Sequence, residues 1–146
     1  MSFGIDVAKA AKDTKSTMGE AKQAIVFELF GNVIKKTPVD LGPAKNAWNV
    51  SMGTPDLTMT DIKSKSALGA FSARSLQELG KVTDEFGVDI LTNPLPYARI
   101  LEFGGYNYNP KSGKTTAEGF STQAPAGMIR VSVSEFSAIA KKQGWV

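Results

Sequence analysis

The feature that most constrains the fold of this chain is a long proline-free stretch that ends at Pro38. Residues 5–36 contain no proline, and only Gly19 and Gly31 weaken their helix propensity. Pro38 disfavours helical geometry in the residue before it and lacks the amide hydrogen that a helix interior needs. The sequence therefore predicts a long N-terminal helix over about 5–36 that stops near Thr37.

Mainly apolar residues of this predicted helix recur every three or four positions, as on one face of an amphipathic helix. Over 24–34 the apolar residues extend to more than one side of the helix. This half is therefore expected to be enclosed by the core or to contact another subunit. The residues of the predicted stripe are Val7, Ala11, Thr14, Met18, Ala21, Ile25 and Leu29.

Beyond Pro38 the chain alternates between short helical and extended patterns, joined by turn-forming residues. Residues 128–134 fit the period of a helix and that of a strand, although the length of the final segment favours a helix. Within the segment after Pro96, Arg99 and Glu102 are spaced to form an ion pair on a helix. The expected elements are a turn at 37–43, a strand at 44–52, a helix at 67–79, a strand at 88–93, a helical segment at 97–104, a long loop at 104–122 and a final helix.

These elements indicate an α+β fold, with a long N-terminal helix and further helices packed on a small, mainly antiparallel β-sheet. At 146 residues, with 42% apolar and 21% charged residues, residues 1–146 are expected to form a single globular domain. The longest mainly apolar run, 24–34, is shorter than the roughly 20 residues that span a bilayer, so no membrane partner is expected. The N-terminus shows no basic segment followed by an apolar core, which favours a cytosolic product.

The composition removes most catalytic and metal-binding chemistry. Histidine and cysteine are absent, which excludes Ser-His and Cys-His catalysis and imidazole or thiolate metal sites. Paired acids such as Asp84 with Glu85, or Asp40 with Glu102, are better explained as solvated residues, because no spacing singles out a pair. We therefore expect that the chain is not an enzyme. We expect no catalytic residue, and no bound metal, cofactor or small-molecule substrate.

The loop at 104–122 combines aromatic and basic residues. Its SGKTT segment at 112–116 resembles the end of a phosphate-binding loop, but position 108 is tyrosine where that pattern requires glycine. Aromatic and basic residues together can contact nucleic acid, or the aromatics can pack on a neighbouring protein. The net charge of +3 and the scattered basic residues of the whole chain do not favour nucleic acid. The candidate partner-contact residues are Tyr106, Tyr108, Lys111, Lys114 and Phe120.

Three segments occur along the chain in an informative order: IKKTPVDLGPAKNAW at 34–48, NPLPYARILEFGG at 93–105 and STQAPAGMIRVSVSEF at 121–136. In order and rough spacing they resemble the tail completion or neck proteins of tailed bacteriophages, the group that includes minor tail protein Z. In that family a long N-terminal helix leads to a TPVDTG-type turn, and an N-x-x-PYA-x-x-LE-x-G element precedes a QAPxGM element and a last helix. The candidate assembly and structural-motif residues are Pro38, Asp40, Gly42, Trp48, Pro94, Tyr97, Glu102, Gly104, Pro125, Gly127 and Met128.

The resemblance implies a structural virion protein of a tailed phage, a tail completion or neck component at the head-proximal end of the tail that enables head-tail joining. It implies a ring, expected to be a hexamer, that contacts neighbouring neck, tail-terminator or connector proteins and is assembled in the bacterial host cytoplasm. Packaged DNA could contact such a ring passively. The alternative is a DNA-binding head-completion or connector module that contacts the end of the packaged genome.

The chain departs from the family pattern in two places. Position 41 is leucine where the family usually has threonine, which removes a hydroxyl from the turn. Residues 106–120 stand between the LE-x-G and QAP elements, where the family commonly has only a few residues. The resemblance therefore does not specify the partner of this added loop.

Overall fold

The computed structural model describes residues 18–40, 42–60, 62 and 69–142. These residues form five helices and a two-stranded antiparallel sheet, which confirms the predicted α+β fold. The elements in chain order are α1 (Met18–Lys36), α2 (Pro43–Asn46), β1 (Asn49–Met52), α3 (Ala73–Leu79), β2 (Asp89–Thr92), α4 (Ala98–Phe103) and α5 (Ile129–Lys142).

The long helix α1 ends where the sequence predicts that it should. Its last residue is Lys36, and the amide of Thr37 donates to the carbonyl of Ile34 at 3.1 Å in a tightened final turn. Pro38 follows and cannot continue the helix. The part of the predicted helix that precedes Met18 lies outside the described residues.

The buried face of α1 is not the predicted stripe. Met18, which belongs to that stripe, is 78% exposed, whereas Ala24 and Ile34 are 4% and 0% exposed. Gly31 is also buried, and a β-carbon there would lie 3.1 Å from the ring of Phe71. The stripe prediction was wrong because this half of the helix is apolar on several sides, so periodicity alone does not choose which side faces the core.

The sheet is tied to α3 by a buried carboxylate. Val50 of β1 lies opposite Leu91 of β2, and its amide donates to the carboxylate of Glu78 at 2.8 Å. Glu78 is fully buried and forms ion pairs with Arg74 and Lys81. Helix α3 therefore satisfies a strand amide that would otherwise lie at the sheet edge without a backbone partner.

The strand predicted over 44–52 is shorter than expected. Residues 43–46 form α2, because Gly42 adopts a φ of 97° before it and Pro43 occupies the first helical position. Trp48 and Val50 are buried as predicted for one strand face, but Met52 of the same face is 38% exposed.

Residues 67 and 68 of the helix predicted over 67–79 lie outside the described residues, and within the described part α3 begins at Ala73. The hydroxyl of Ser72 caps it by accepting the amide hydrogen of Ser75 at 3.1 Å, and Ser72 itself is extended. Gly69, at a φ of 81°, lies in a turn before the cap. Helical propensity at 69–72 is therefore overridden by the turn and by a good capping residue.

The main buried cluster includes Ile34 of α1, Leu79 of α3 and Leu101 of α4, together with Met128 just before α5. The open choice at 128–134 is settled as a helix, because α5 begins at Ile129. Among the described residues, no helix combines the length and the apolar character that crossing a membrane requires.

A buried hydrogen-bond chain holds the end of α1 against Trp48. The indole Nε1 donates to Thr37 Oγ1 at 2.8 Å, and that hydroxyl donates to the carbonyl of Val33 at 3.0 Å. Thr37 is 0% exposed and Trp48 is 3% exposed. The hydroxyl therefore satisfies a donor and an acceptor that water does not reach.

We expect Thr37→Val to lower the free energy of unfolding by about 1–3 kcal/mol, because the buried indole N–H loses its acceptor without a change in side-chain volume. Urea denaturation measures the effect. Thr37→Ser, which keeps the hydroxyl, should be closer to wild type. Equal stability of Thr37→Val and wild type would contradict the role given to this hydroxyl.

Candidate functional site

The three segments that carry the sequence resemblance meet in space. Gln123 joins the third segment to the first, because its Oε1 accepts the amide of Val39 at 2.7 Å and its Nε2 donates to the carbonyl of Val39 at 2.9 Å. Asn93 joins the second segment to the first by donating from Nδ2 to the carbonyl of Ala44 at 2.9 Å. We call this region the junction, and its parts are residues 37–40, 42–48, 93–104 and 121–130.

Glu102 joins the second segment to the third. Its carboxylate accepts the amide hydrogens of Met128, Ile129 and Arg130 at 2.7, 2.8 and 3.0 Å. These amides lie at the start of α5, where no preceding turn supplies a carbonyl and where the helix dipole favours an anion. Glu102 therefore acts as a capping group that is supplied from a distant part of the chain.

Arg130 completes this contact with its side chain. Its Nε donates to the Glu102 carboxylate at 3.0 Å, and its Nη2 donates to the Glu102 carbonyl at 2.6 Å. The pair expected between Arg99 and Glu102 is thus replaced by one with Arg130, while the Arg99 guanidinium lies 6.0 Å from the centre of the Phe103 ring. The partner of Glu102 is set by the packing of α4 on α5 rather than by spacing within α4.

The electrostatics of Glu102 follow from these contacts. Burial of the carboxyl group opposes ionisation and would raise its pKa, but the three backbone amides and the Arg130 side chain more than offset burial. The pKa of Glu102 therefore lies below the ordinary value of 4.5. Glu102 is 4% exposed and is an ionised, fully hydrogen-bonded carboxylate at neutral pH.

Two glycines allow close approach at the junction, Gly127 between the second and third segments and Gly104 between the second segment and the long loop. Gly127 has a φ of 90°, and a β-carbon on it would lie 2.5 Å from the Glu102 carbonyl oxygen. Gly104 has a φ of 80°, and its β-carbon would meet the Glu118 carbonyl at 3.1 Å and the Phe120 ring at 3.2 Å. The glycines of the second and third segments are therefore required by both backbone conformation and space.

A cleft of about 570 Å³ opens beside the junction, between residues 38–40 and 42–44 on one side and the long loop on the other. Its walls are mainly apolar, and Asp40 and Lys114 place opposite charges among the lining residues. This volume lies within the roughly 300–1,000 Å³ of sites that take small ligands or side chains. The predicted site residues that line it are Pro38, Asp40, Gly42, Tyr97, Tyr106 and Lys114.

The remaining motif candidates occupy varied positions. Trp48 and Met128 belong to the buried core, at 3% and 1% exposure. Pro94 is half-buried after β2, and Pro125 is exposed in the turn that leads to α5. Trp48 and Met128 therefore contribute to the packing of the core, and the two prolines contribute to the path of the backbone. Only some of the motif residues line the cleft.

The partner-loop candidates divide into two groups. Tyr106 and Phe120 are half-buried against the rest of the chain, and burial raises the pKa of the Tyr106 hydroxyl. Tyr108 is 54% exposed, and Lys111 and Lys114 are also exposed. The loop therefore anchors itself with two aromatics and presents the third with the lysines.

Several residues of the junction were missed by the sequence analysis. Thr37, Asn93 and Gln123 lie within the quoted segments, and a polar residue next to or near a proline was a usable signal for each. Arg130 carried no such signal, because its partner is 28 positions away. Long-range pairing of this kind is not visible in local patterns.

The polar groups of the junction have structural partners. The Glu102 carboxylate and the Gln123 amide are bonded to backbone groups, so they hold three segments in one arrangement. In the ranges that the structure describes, no cluster of three or more acidic residues could hold a metal ion.

A scan against family models and searches among curated proteins and solved structures each returned no match to this chain. The likeness to phage neck proteins therefore depends on the three quoted segments and their order. Their meeting at the junction is a separate observation, made from the contacts alone.

We expect Glu102→Gln to lower the free energy of unfolding by about 2–3 kcal/mol, because a neutral amide replaces an anion that accepts several buried hydrogen bonds. Urea denaturation at neutral pH measures the difference. The matched control is Glu135→Gln, since Glu135 of α5 forms an exposed ion pair with Lys36 and should change stability by less than about 1 kcal/mol. Similar losses in both variants would contradict the cap.

Stability should also depend on pH through Glu102. Because its pKa is lowered on folding from the ordinary 4.5, the ionised carboxylate stabilises the folded chain above pH 4.5, and this contribution is lost as the pH falls through the lowered pKa. The stability difference between wild type and Glu102→Gln should therefore be constant above about pH 5 and shrink in more acidic solution. A pH series of urea titrations tests this, and an undiminished difference in strong acid would contradict it.

Proposed function

We propose that this chain is a structural virion protein of a tailed phage, a tail completion or neck component at the head-proximal end of the tail that enables head-tail joining. In this proposal copies of the chain form a ring, expected to be a hexamer, that contacts neighbouring neck, tail-terminator or connector proteins. The residues of the junction then hold the subunit in shape.

The observation that carries the proposal is that the three segments resembling the neck family form one junction. In an enzyme, polar residues of a shared motif are commonly directed at a substrate. Here Glu102, Gln123 and Asn93 are directed at backbone groups of the other segments. A motif whose polar residues fix the relative positions of chain segments supports a mechanical role for the subunit.

Exposed apolar side chains give further support. Phe86, Val88 and Leu57 are 74%, 68% and 67% exposed, and Phe103 is 58% exposed. Large exposed apolar groups in a soluble protein are typical of surfaces that another protein covers. A subunit that is surrounded by neighbours in a particle would bury them.

The second candidate is a DNA-binding head-completion or connector module. The exposed group of Tyr108, Lys111 and Lys114 favours it, because an aromatic ring and lysines are the side chains that single-stranded or frayed DNA ends contact. Lys114 also lines the cleft beside the junction, which could receive part of such a ligand.

Deletion of the coding sequence from the phage tests the proposal. We expect filled heads and complete tails that remain separate, restored joining when the protein is supplied in trans, and a symmetric density for the protein at the joint in cryo-electron micrographs. Virions that join and infect without the protein would overturn it. DNA binding that falls steeply with salt and is lost in Lys111→Ala/Lys114→Ala, in a protein absent from the virion, would favour the second candidate.

A further inference from the structure

Two patches of exposed apolar side chains lie on different parts of the chain, one flanked by acidic residues and the other by basic residues. The first, which we call the tip, is at the turn before β2. Phe86 and Val88 are 74% and 68% exposed there, and the Met52 side chain lies against the same turn, 2.8 Å from where a β-carbon on Gly87 would be. The residues of the tip are Met52, Asp84, Glu85, Phe86 and Val88.

The tip is acidic. Asp84 and Glu85 are both exposed. Lys22, which lies beside the tip, forms an ion pair with Asp89 and donates to the backbone carbonyls of Thr83 and Glu85 at 3.2 and 2.8 Å. Its charge is therefore already matched by Asp89, which leaves the two exposed acids beside the apolar side chains.

The second patch, which we call the helix face, lies on α5 and the end of α4. Ile129 and Val133 are four positions apart on α5 and are 41% and 49% exposed, and Phe103 at the end of α4 is 58% exposed. Arg130 connects them, because its guanidinium lies 4.8 Å from the centre of the Phe103 ring. The residues of the helix face are Arg99, Phe103, Ile129, Val133 and Lys141.

The helix face is basic. A shallow groove along α5 is lined by Ile129, Arg130, Val133, Lys141 and small residues, and no acid is among its described lining residues. Arg130 is matched by Glu102, whereas Arg99 and Lys141 are exposed with no ion pair among the described residues. The small side chains of Ser134 and Ser137 leave room for an inserted aromatic ring.

The two patches lie near opposite ends of α1, so they cannot cover each other within one chain. Lys22 near the start of α1 contacts the residues beside the tip, while Lys36 at its end pairs with Glu135 of α5. The 14 positions between Lys22 and Lys36 correspond to about 21 Å along a helix. One molecule therefore presents an acidic apolar patch and a basic apolar patch at two separate places.

We propose that the tip of one copy docks on the helix face of the next, with Phe86 seated beside Val133 and the acidic tip against the basic helix face. Two different surfaces in contact make a head-to-tail association, which closes into a ring when the rotation per subunit permits. This inference rests on the proposed function and names the surfaces through which the ring would form. Tip-to-tip pairing would place acids against acids, and face-to-face pairing would place basic residues against basic residues. Repulsion between like charges therefore disfavours both.

The test uses two variants that each disable one patch. Phe86→Asp disables the tip and Val133→Asp disables the helix face, and both positions are exposed enough that the melting temperature should stay near that of wild type. Analytical ultracentrifugation should show assembled wild type and self-association that is weaker by roughly tenfold or more in each variant. An equimolar mixture of the two variants should form a dimer and stop there, because one intact tip and one intact face remain.

A third variant is the control. Leu76→Asp changes an exposed leucine, 53% exposed, on a helix outside both patches and should assemble like wild type. A variant of either patch that assembles normally, or a mixture of the two that stays monomeric, would overturn the inference while leaving the proposed function standing. If the wild-type protein is monomeric at its highest soluble concentration, both the docking and the proposed ring are overturned. The proposed neck role is then tested separately by the gene deletion and by cryo-electron micrographs of virions.

Discussion

The arrangement of this chain depends on one buried carboxylate. Glu102 belongs to the second motif segment and accepts the first amides of α5, so the last helix is held by a residue that lies about a fifth of the chain before it. Without an acceptor, these helix-terminal amides would be partly buried donors, which is costly. Gly127 is the steric counterpart, because a side chain there would meet the Glu102 backbone. The charge of Glu102 and the absence of a side chain at Gly127 thus both stabilise the contact between Glu102 and the start of α5.

The other contacts of the junction extend this principle. Gln123 pairs with both backbone groups of Val39 as a neighbouring strand would, and Asn93 reaches the carbonyl of Ala44. Each bond joins residues that are at least 49 positions apart. Each therefore fixes the position of one segment relative to another, which local secondary structure does not do. A chain built in this way has few large regular elements but well-determined connections. The mechanical role proposed above draws its support from these connections.

Much of the fold was accessible to sequence reasoning, and the failures have clear causes. The end of α1 was predictable because Pro38 restricts the backbone of the residue directly before it. The strands were predictable because alternation and β-branched residues favour extended structure within their own segment. The start of α3 was missed because the cap at Ser72 outcompetes helical residues before it. The buried side of α1 was missed because several sides are apolar, and only the packing of partners such as Phe71 selects one.

The candidate site shows the same division. By itself the sequence determined the class of fold, the positions of most turns, the three segments and the absence of histidine and cysteine chemistry, since these depend on residue type and short spacing. Only the tertiary structure decided that Glu102 pairs with Arg130, that Gln123 binds Val39, and which aromatic residues of the long loop are exposed. The physical reason is that a buried hydrogen bond depends on which surfaces meet after packing, and surfaces meet across sequence separations that no local pattern records.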